Sequence, residues 1–310
     1  HSSHRRQRQM CIRDRANVAN AINKFEQLKM IVHPNDYQGA LKLLNQNVEI
    51  LKTPIDDAWC RDSGAIFLLN DKNQLAGVDS DFNCWGYKEN FEQDDKVAKF
   101  MINNSNATYF KNNMVLEGGS IHVNGNGTLI TTEQCLLHEN RNPNLSKNEI
   151  ENNLKEYFGV TKIIWLKHGT DEGTNGHIDN VACFSDQNTV LAMTCSDKDD
   201  TYYDLLSENL DILKSSVDQD NNPLKIVEVE MSKKRFIPGD DEPSSYINFY
   251  IANSAIILPF FGDDTADQNA MKIIKEQFPN RQIECLDGHD ILMGGGNIHC
   301  ITQQQPKAVS

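Results

Sequence analysis

The chain has 310 residues, 39% of them hydrophobic and 24% charged, the balance of a soluble globular protein with room for one large domain or two ordinary ones. Its longest apolar runs, such as Ile256-Ile257-Leu258-Pro259-Phe260-Phe261, fall far short of the roughly 20 residues needed to cross a bilayer, so no membrane partner is expected. A net charge of −14 repels phosphate, which argues against nucleic acid and weakly favours a cationic ligand.

Residues 1–15 stand apart from this acidic body. Arg5, Arg6, Arg8, Arg13 and Arg15 face a single Asp14, with no starting Met, no apolar signal core and no secondary-structure period. They read as a non-native or disordered leader, and 16–310 as a single domain. From there the chain alternates. Ala16, Ala19, Ile22 and Phe25 fall at helical spacing over 16–27, and an apolar run at 28–32 is a strand stopped by Pro34. A helix over 36–44 and a strand over 48–51 follow. The turn-rich Thr53-Pro54-Ile55-Asp56-Asp57-Ala58-Trp59-Cys60-Arg61-Asp62-Ser63-Gly64 leads into a strand at 65–69, which forms a hairpin with 75–78, and a helix is expected over 91–102.

That order returns. Strands at 118–123 and 128–132 flank Asn124-Gly125-Asn126-Gly127, the strongest turn signal in the chain. Ser146, with Glu149 three residues on, opens a helix over 147–157, and a strand at 162–166 closes the unit. A third copy runs through strands ending at 184 and at 190–193, a helix near 201–213 and a strand at 224–229. The fourth has strands at 255–259 and 283–286 around a helix at 266–277. The fifth opens at Gly294-Gly295-Gly296 and reaches Cys300-Ile301-Thr302. Taking Asp62, Gly118, Gly176, Tyr246 and Gly295 as markers, the copies lie 56, 58, 70 and 49 residues apart. Five units of strand, strand, helix, strand, none able to bury its apolar face alone, close most simply as an α/β propeller; an open two-layer α/β sheet is the alternative.

In the closed arrangement the equivalent turns meet, and they carry Asp62, Glu117, His177, Asp179 and Cys300. A cysteine, a histidine and several carboxylates can serve a nucleophile pair, a metal or a cation. Zinc calls for ligands in close sequence pairs, which this chain does not offer, so no metal is expected. A Cys–His hydrolase of esters or peptides needs donors for an oxyanion rather than a ring of carboxylates. Negative charge around a nucleophile suits a substrate that stays positive, and guanidinium does, with N–H forks that match carboxylates two at a time. The eight cysteines show no CxxC pair, and a chain this long needs no disulfide scaffold, which points to a reducing cytoplasm.

The strings Asp57-Ala58-Trp59-Cys60-Arg61-Asp62-Ser63-Gly64, Val115-Leu116-Glu117-Gly118-Gly119-Ser120-Ile121-His122, Arg141-Asn142-Pro143, Thr174-Asn175-Gly176-His177-Ile178-Asp179-Asn180 and Gly294-Gly295-Gly296-Asn297-Ile298-His299-Cys300 resemble the agmatine deiminase family. These are guanidino-group-modifying enzymes with the five-bladed α/β propeller (pentein) fold, and the resemblance runs from about residue 16 to 306. It implies Cys300 as nucleophile, His177 as acid and base, Glu117 as the partner that orients His177, Asp62 and Asp179 as guanidinium clamps, and Trp59 lining the substrate channel. The implied reaction is hydrolysis of agmatine to N-carbamoylputrescine and ammonia through a covalent thiouronium, without metal or organic cofactor, in a chain compatible with a homodimer. A bacterial peptidylarginine deiminase shares the motifs, and a silent propeller that binds a partner is the reading outside this chemistry. In family members a further segment pairs with the last blade where 1–15 stands here, so the Cys300 strand is expected to be an uncovered edge. Members also tend to place an acidic residue before the Thr-Asn of the fourth string, where this chain has Gly173 after Glu172.

Overall fold

The computed structural model describes residues 2–234 and 243–308, with side chains from Ile12 onward. It forms two compact units, one of residues 1–55 and 230–301, the other of 56–229 and 302–310.

The first unit begins with helix α1 (Ser2–Ile22), then β1 (Lys29–Val32), α2 (Tyr37–Leu43) and β2 (Glu49–Lys52); it resumes with β12 (Tyr250–Ile251), β13 (Ala255–Phe260), α9 (Asp264–Gln277), β14 (Gln282–Asp287) and α10 (His289–Leu292). The second unit runs α3 (Cys60–Ser63), β3 (Ile66–Leu69), β4 (Leu75–Asp81), α4 (Cys84–Tyr87), α5 (Val97–Ser105) and β5 (Thr108–Val115). It continues with β6 (Ile121–Val123), β7 (Thr128–Thr132), α6 (Glu133–Leu136), α7 (Lys147–Phe158), β8 (Lys162–Leu166), β9 (Ala182–Phe184), β10 (Thr189–Thr194), α8 (Tyr203–Ser215) and β11 (Lys225–Glu230).

Four three-stranded sheets share one plan. In β3-β4-β5, β6-β7-β8, β9-β10-β11 and β12-β13-β14 the second strand is central. It pairs antiparallel with the first strand in all four. The third strand is parallel to the second in the sheets of β5, β8 and β14. A parallel return needs a crossover of a dozen or more residues, and α5, α7 and α9 fill that span in those three sheets, while α8 stands at the equivalent place between β10 and β11. β1 and β2 pair parallel around α2 as a two-stranded sheet.

Local sequence sets these elements. At the β6–β7 turn Gly125 and Gly127 take φ of 72° and 113°, and Asn124 Oδ1 accepts from the N–H groups of Asn126 and Thr128. Helix α7 opens on the reciprocal Ser146–Glu149 capping box and stops at Gly159 in the left-handed region. Its buried Ile150 and Leu154 pack with Leu116, Ile121, Leu129, Cys135 and Leu136 over the β6-β7-β8 sheet. Truncating Leu154, which is wholly buried, would cost about 2–5 kcal/mol in lost transfer and cavity.

Three features differ from the sequence reading. Residues 2–15, set aside there as a leader, continue α1 toward the N-terminus; they are rich in Arg and Gln and contain neither Gly nor Pro, which favours helix; residue 1 lies outside the described residues. Strand β5 falls where no strand was expected, because Lys111-Asn112-Asn113 interrupts any alternation. The glycine turn at 294–296 forms, with Gly295 at φ of 100°, but the short strand expected to follow it to Cys300 is also turned: His299 N donates to the carbonyl and to Oδ1 of Asn248 instead of to a ladder. Among the described residues no helix is long and apolar enough to cross a membrane.

Candidate active site

Three turns of the second unit converge on Gly119. Asp62 sits in the single turn of α3, whose N–H bonds back to Trp59. Glu117 ends the strand-like entry to a 3-10 turn, Gly118–Ser120, which Ser120 Oγ ties down by donating to the Glu117 carbonyl at 2.6 Å. His177 precedes a second such turn, Ile178–Asn180, which holds Asp179. All four side chains are buried: Asp62 is 5% exposed, Glu117 0%, His177 1% and Asp179 2%.

Gly119 N donates to Asp62 Oδ1 at 3.0 Å, and a Cβ at Gly119 would lie 2.6 Å from His177 Nδ1, 2.8 Å from Asp62 Oδ1 and 3.2 Å from Asp179 Oδ2. The glycine is what lets three functional groups approach one point. The imidazole stands between carboxylates, with Nδ1 3.8 Å from Asp62 Oδ1 and Nε2 3.9 Å from Glu117 Oε2. Cys300 belongs to the other unit, where it is 8% exposed and its Sγ accepts from Asn248 Nδ2 at 3.2 Å.

The sequence profile of the Porphyromonas-type peptidyl-arginine deiminases matches residues 2–306. This chain belongs to that family, to which the agmatine deiminases belong. A Legionella pneumophila protein named as a candidate agmatine deiminase is 44% identical over 94% of this chain and 86% of its own. The agmatine deiminase of Medicago truncatula is 37% identical over 93% of this chain and 86% of its own. The solved structure of the Enterococcus faecalis agmatine deiminase catalysing its reaction superposes with a TM-score of 0.90 at 35% identity, covering 96% of this chain and 87% of that one. The fold class is thus the propeller-type α/β fold of repeated strand, strand, helix, strand units.

In this deiminase-family chain two further side chains complete the site, and neither was given a role from the sequence. Arg141, named there only within its Arg-Asn-Pro string, is wholly buried as a side chain and pairs its Nε with Glu117 Oε1 at 2.7 Å. Its other nitrogens donate to the Thr174 carbonyl at 2.8 Å and to Asn175 Oδ1 at 3.0 Å, on the loop that leads to His177. Trp85 donates Nε1 to Asp62 Oδ2 at 3.0 Å. It reaches there because Cys84, Trp85, Gly86 and Tyr87 all have positive φ, a costly run that Asn83 Oδ1 supports by accepting from Gly86 N. Trp59, expected to line a substrate channel, is half-buried and donates its Nε1 to Asp57 Oδ2 at 3.1 Å. Sequence offers no sign of the Trp85–Asp62 bond beyond the presence of a tryptophan beside a glycine.

Charge follows geometry. Burial alone would lower the His177 pKa, but Asp62, Cys135 and Glu117 outweigh it and raise it to about 10, so the ring is an imidazolium at neutral pH. Burial is also the main reason that the Asp62 carboxyl is raised to about 6, with Asp179 and Glu117 adding to it while His177 and the Trp85 hydrogen bond oppose it. Glu117, Cys135 and His177 offer donor atoms within 4.8 Å of one another, a spacing that raises the question of a metal. The set does not fit one. A dication there would meet the Arg141 guanidinium on Glu117 and a protonated His177, and burial holds the Cys135 thiol protonated.

Proposed function

We propose that this chain hydrolyses agmatine at its guanidinium group, releasing ammonia and leaving N-carbamoylputrescine, a precursor of putrescine. The observation that carries this reading is the set of buried carboxylates, Asp62, Asp179 and Glu117, gathered with His177 beside Gly119. Asp62 Oδ1 and Asp179 Oδ2 both lie within 3.2 Å of the point where a Gly119 Cβ would stand, so two buried carboxylates face one small space. A guanidinium suits that space. Its N–H forks match the two aspartates, and its charge draws the raised Asp62 pKa back down, so binding and ionisation support each other.

The steps follow from these roles. Cys300, as thiolate, attacks the guanidinium carbon; the C–S bond forms and the C=N pair moves onto nitrogen. His177 gives its proton to the departing nitrogen, ammonia leaves, and an S-alkylthiouronium remains on Cys300. His177, now neutral, takes a proton from water as the oxygen adds to the same carbon. Collapse expels the thiolate, the hydroxyl gives up its proton to leave the urea group of the product, and that proton converts the released ammonia to ammonium. One water is consumed and one ammonium released, and no step calls for a metal or an organic cofactor. Glu117, anchored by Arg141, steadies the imidazolium through both proton transfers.

Agmatine is preferred as substrate because relatives from 35% to 44% identical over nearly the whole chain carry the agmatine deiminase name. Peptidyl-arginine is the second reading, favoured by the name of the matching family profile. Ammonia release from agmatine, free arginine and an arginine peptide, measured side by side, separates them: agmatine should be turned over fastest, and turnover of the peptide alone would overturn the proposal. A cytoplasmic location is part of the same reading, supported by seven described cysteines that carry free thiols.

A further inference from the structure

Cys135 lies beside the site and has no part in the steps above. It is wholly buried at the start of α6, a short helix capped by Thr132, whose Oγ1 accepts from Cys135 N at 3.2 Å and donates to the Gly176 carbonyl at 2.7 Å. The Cys135 thiol donates to the Thr174 carbonyl at 3.8 Å, and Thr174 Oγ1 in turn accepts from His177 N at 3.1 Å. Two bonds, from Thr132 Oγ1 and from the Cys135 thiol, therefore stitch α6 and its cap to residues 174–177, and a third, His177 N to Thr174 Oγ1, ties that loop to the histidine. With its proton directed at Thr174, the sulfur turns its lone pairs to its other neighbours, and within 4.8 Å these are a ring nitrogen of His177 and a carboxylate oxygen of Glu117.

From this arrangement we infer that Cys135 is a positioning residue for His177: its thiol proton fastens the loop that carries the histidine, and its sulfur flanks the imidazolium and shares in stabilising its charge. The inference rests on the acid and base role proposed for His177. The groups that face that ring are Asp62 from α3, Glu117 before the 3-10 turn, Asp171 from the preceding loop, Asp179 from the following turn, Cys135 from α6, and Arg141 through its pair with Glu117. Only Cys135 among these can be removed without altering the formal charge.

Cys135→Ala and Cys135→Ser remove nearly the same volume, but serine restores a small polar group that can donate to Thr174 and accept from the ring. In the full chain with labelled histidine, NMR titration of His177 should show its midpoint fall by about one pH unit in Cys135→Ala and stay near the original in Cys135→Ser. The alkaline limb of ammonia release from agmatine should move in the same way. An unchanged midpoint in the alanine variant, or a serine variant that falls as far as the alanine one, would reduce the sulfur to packing and overturn the inference. Should neither fold, Cys135→Thr against Cys135→Val carries the same comparison at larger volume. If the unaltered chain released no ammonia from agmatine, the proposed function would fail, while the titration would still decide the role of Cys135.

Discussion

Gly119→Ala adds one methyl group and tests the convergence of the site directly. Gly119 lies in a 3-10 turn whose backbone does not require positive φ, so alanine is conformationally admissible and the cost is steric. Ordinary contact begins near 3.4 Å, whereas the new Cβ would stand 2.6 Å from His177 Nδ1 and 2.8 Å from Asp62 Oδ1. The ring must retreat by some 0.8 Å and the carboxylate by some 0.6 Å. Both groups are buried, and the space behind the ring holds Glu117 and Cys135. Overpacking of this kind costs about 1–3 kcal/mol, which a chain of this size survives folded. Activity is more sensitive, because a misplacement on the order of 1 Å in reacting groups costs about 100-fold. Steady-state ammonia release from agmatine should therefore show kcat/KM reduced by about 100-fold, with urea unfolding little changed. A variant whose kcat/KM stays within about threefold of the original would refute the claim that Gly119 sets this geometry.

Trp85→Phe removes the hydrogen bond that opposes the raised pKa of Asp62, so the carboxyl should rise further above 6. Since Asp62 must be ionised to hold a cation, kcat/KM should be lost at a higher pH on the acid side, while the alkaline limb set by His177 near 10 stays in place; a pH profile of both enzymes checks this. Arg141→Met leaves Glu117 buried without its countercharge and should destabilise the chain by about 3–5 kcal/mol in urea unfolding, much of it recovered in the double variant with Glu117→Gln. An Arg141→Met variant as stable as the original would show that the pair contributes nothing. Cys300→Ser should abolish ammonia release while leaving the unfolding transition unchanged, and near-normal turnover would remove the covalent step.

The sequence by itself determined the repeated order of strand, strand, helix and strand, the α7 capping box and the Asn-Gly hairpin, and it singled out the residues proposed to form the site. These are local signals: an alternation, a helical period or a turn residue is written within about ten neighbouring positions and survives in any packing. Asp62, Glu117, His177 and Asp179 were legible for the same reason, each lying in a short string of distinct residue types. What the tertiary structure decided is which groups face one another. The Trp85 bond to Asp62 spans 23 positions and the Arg141 pair with Glu117 spans 24, and no local pattern marks either. Strand β5 was hidden because its pairing is supplied by β4 rather than by its own alternation. The turn at Cys300 depends on Asn248, about fifty residues upstream, which takes the His299 N–H that a strand would have used. The charge of His177 was least legible of all: a lone imidazole titrates near neutrality, and here neighbours distant in sequence, Asp62 foremost, act against burial to raise its pKa to about 10.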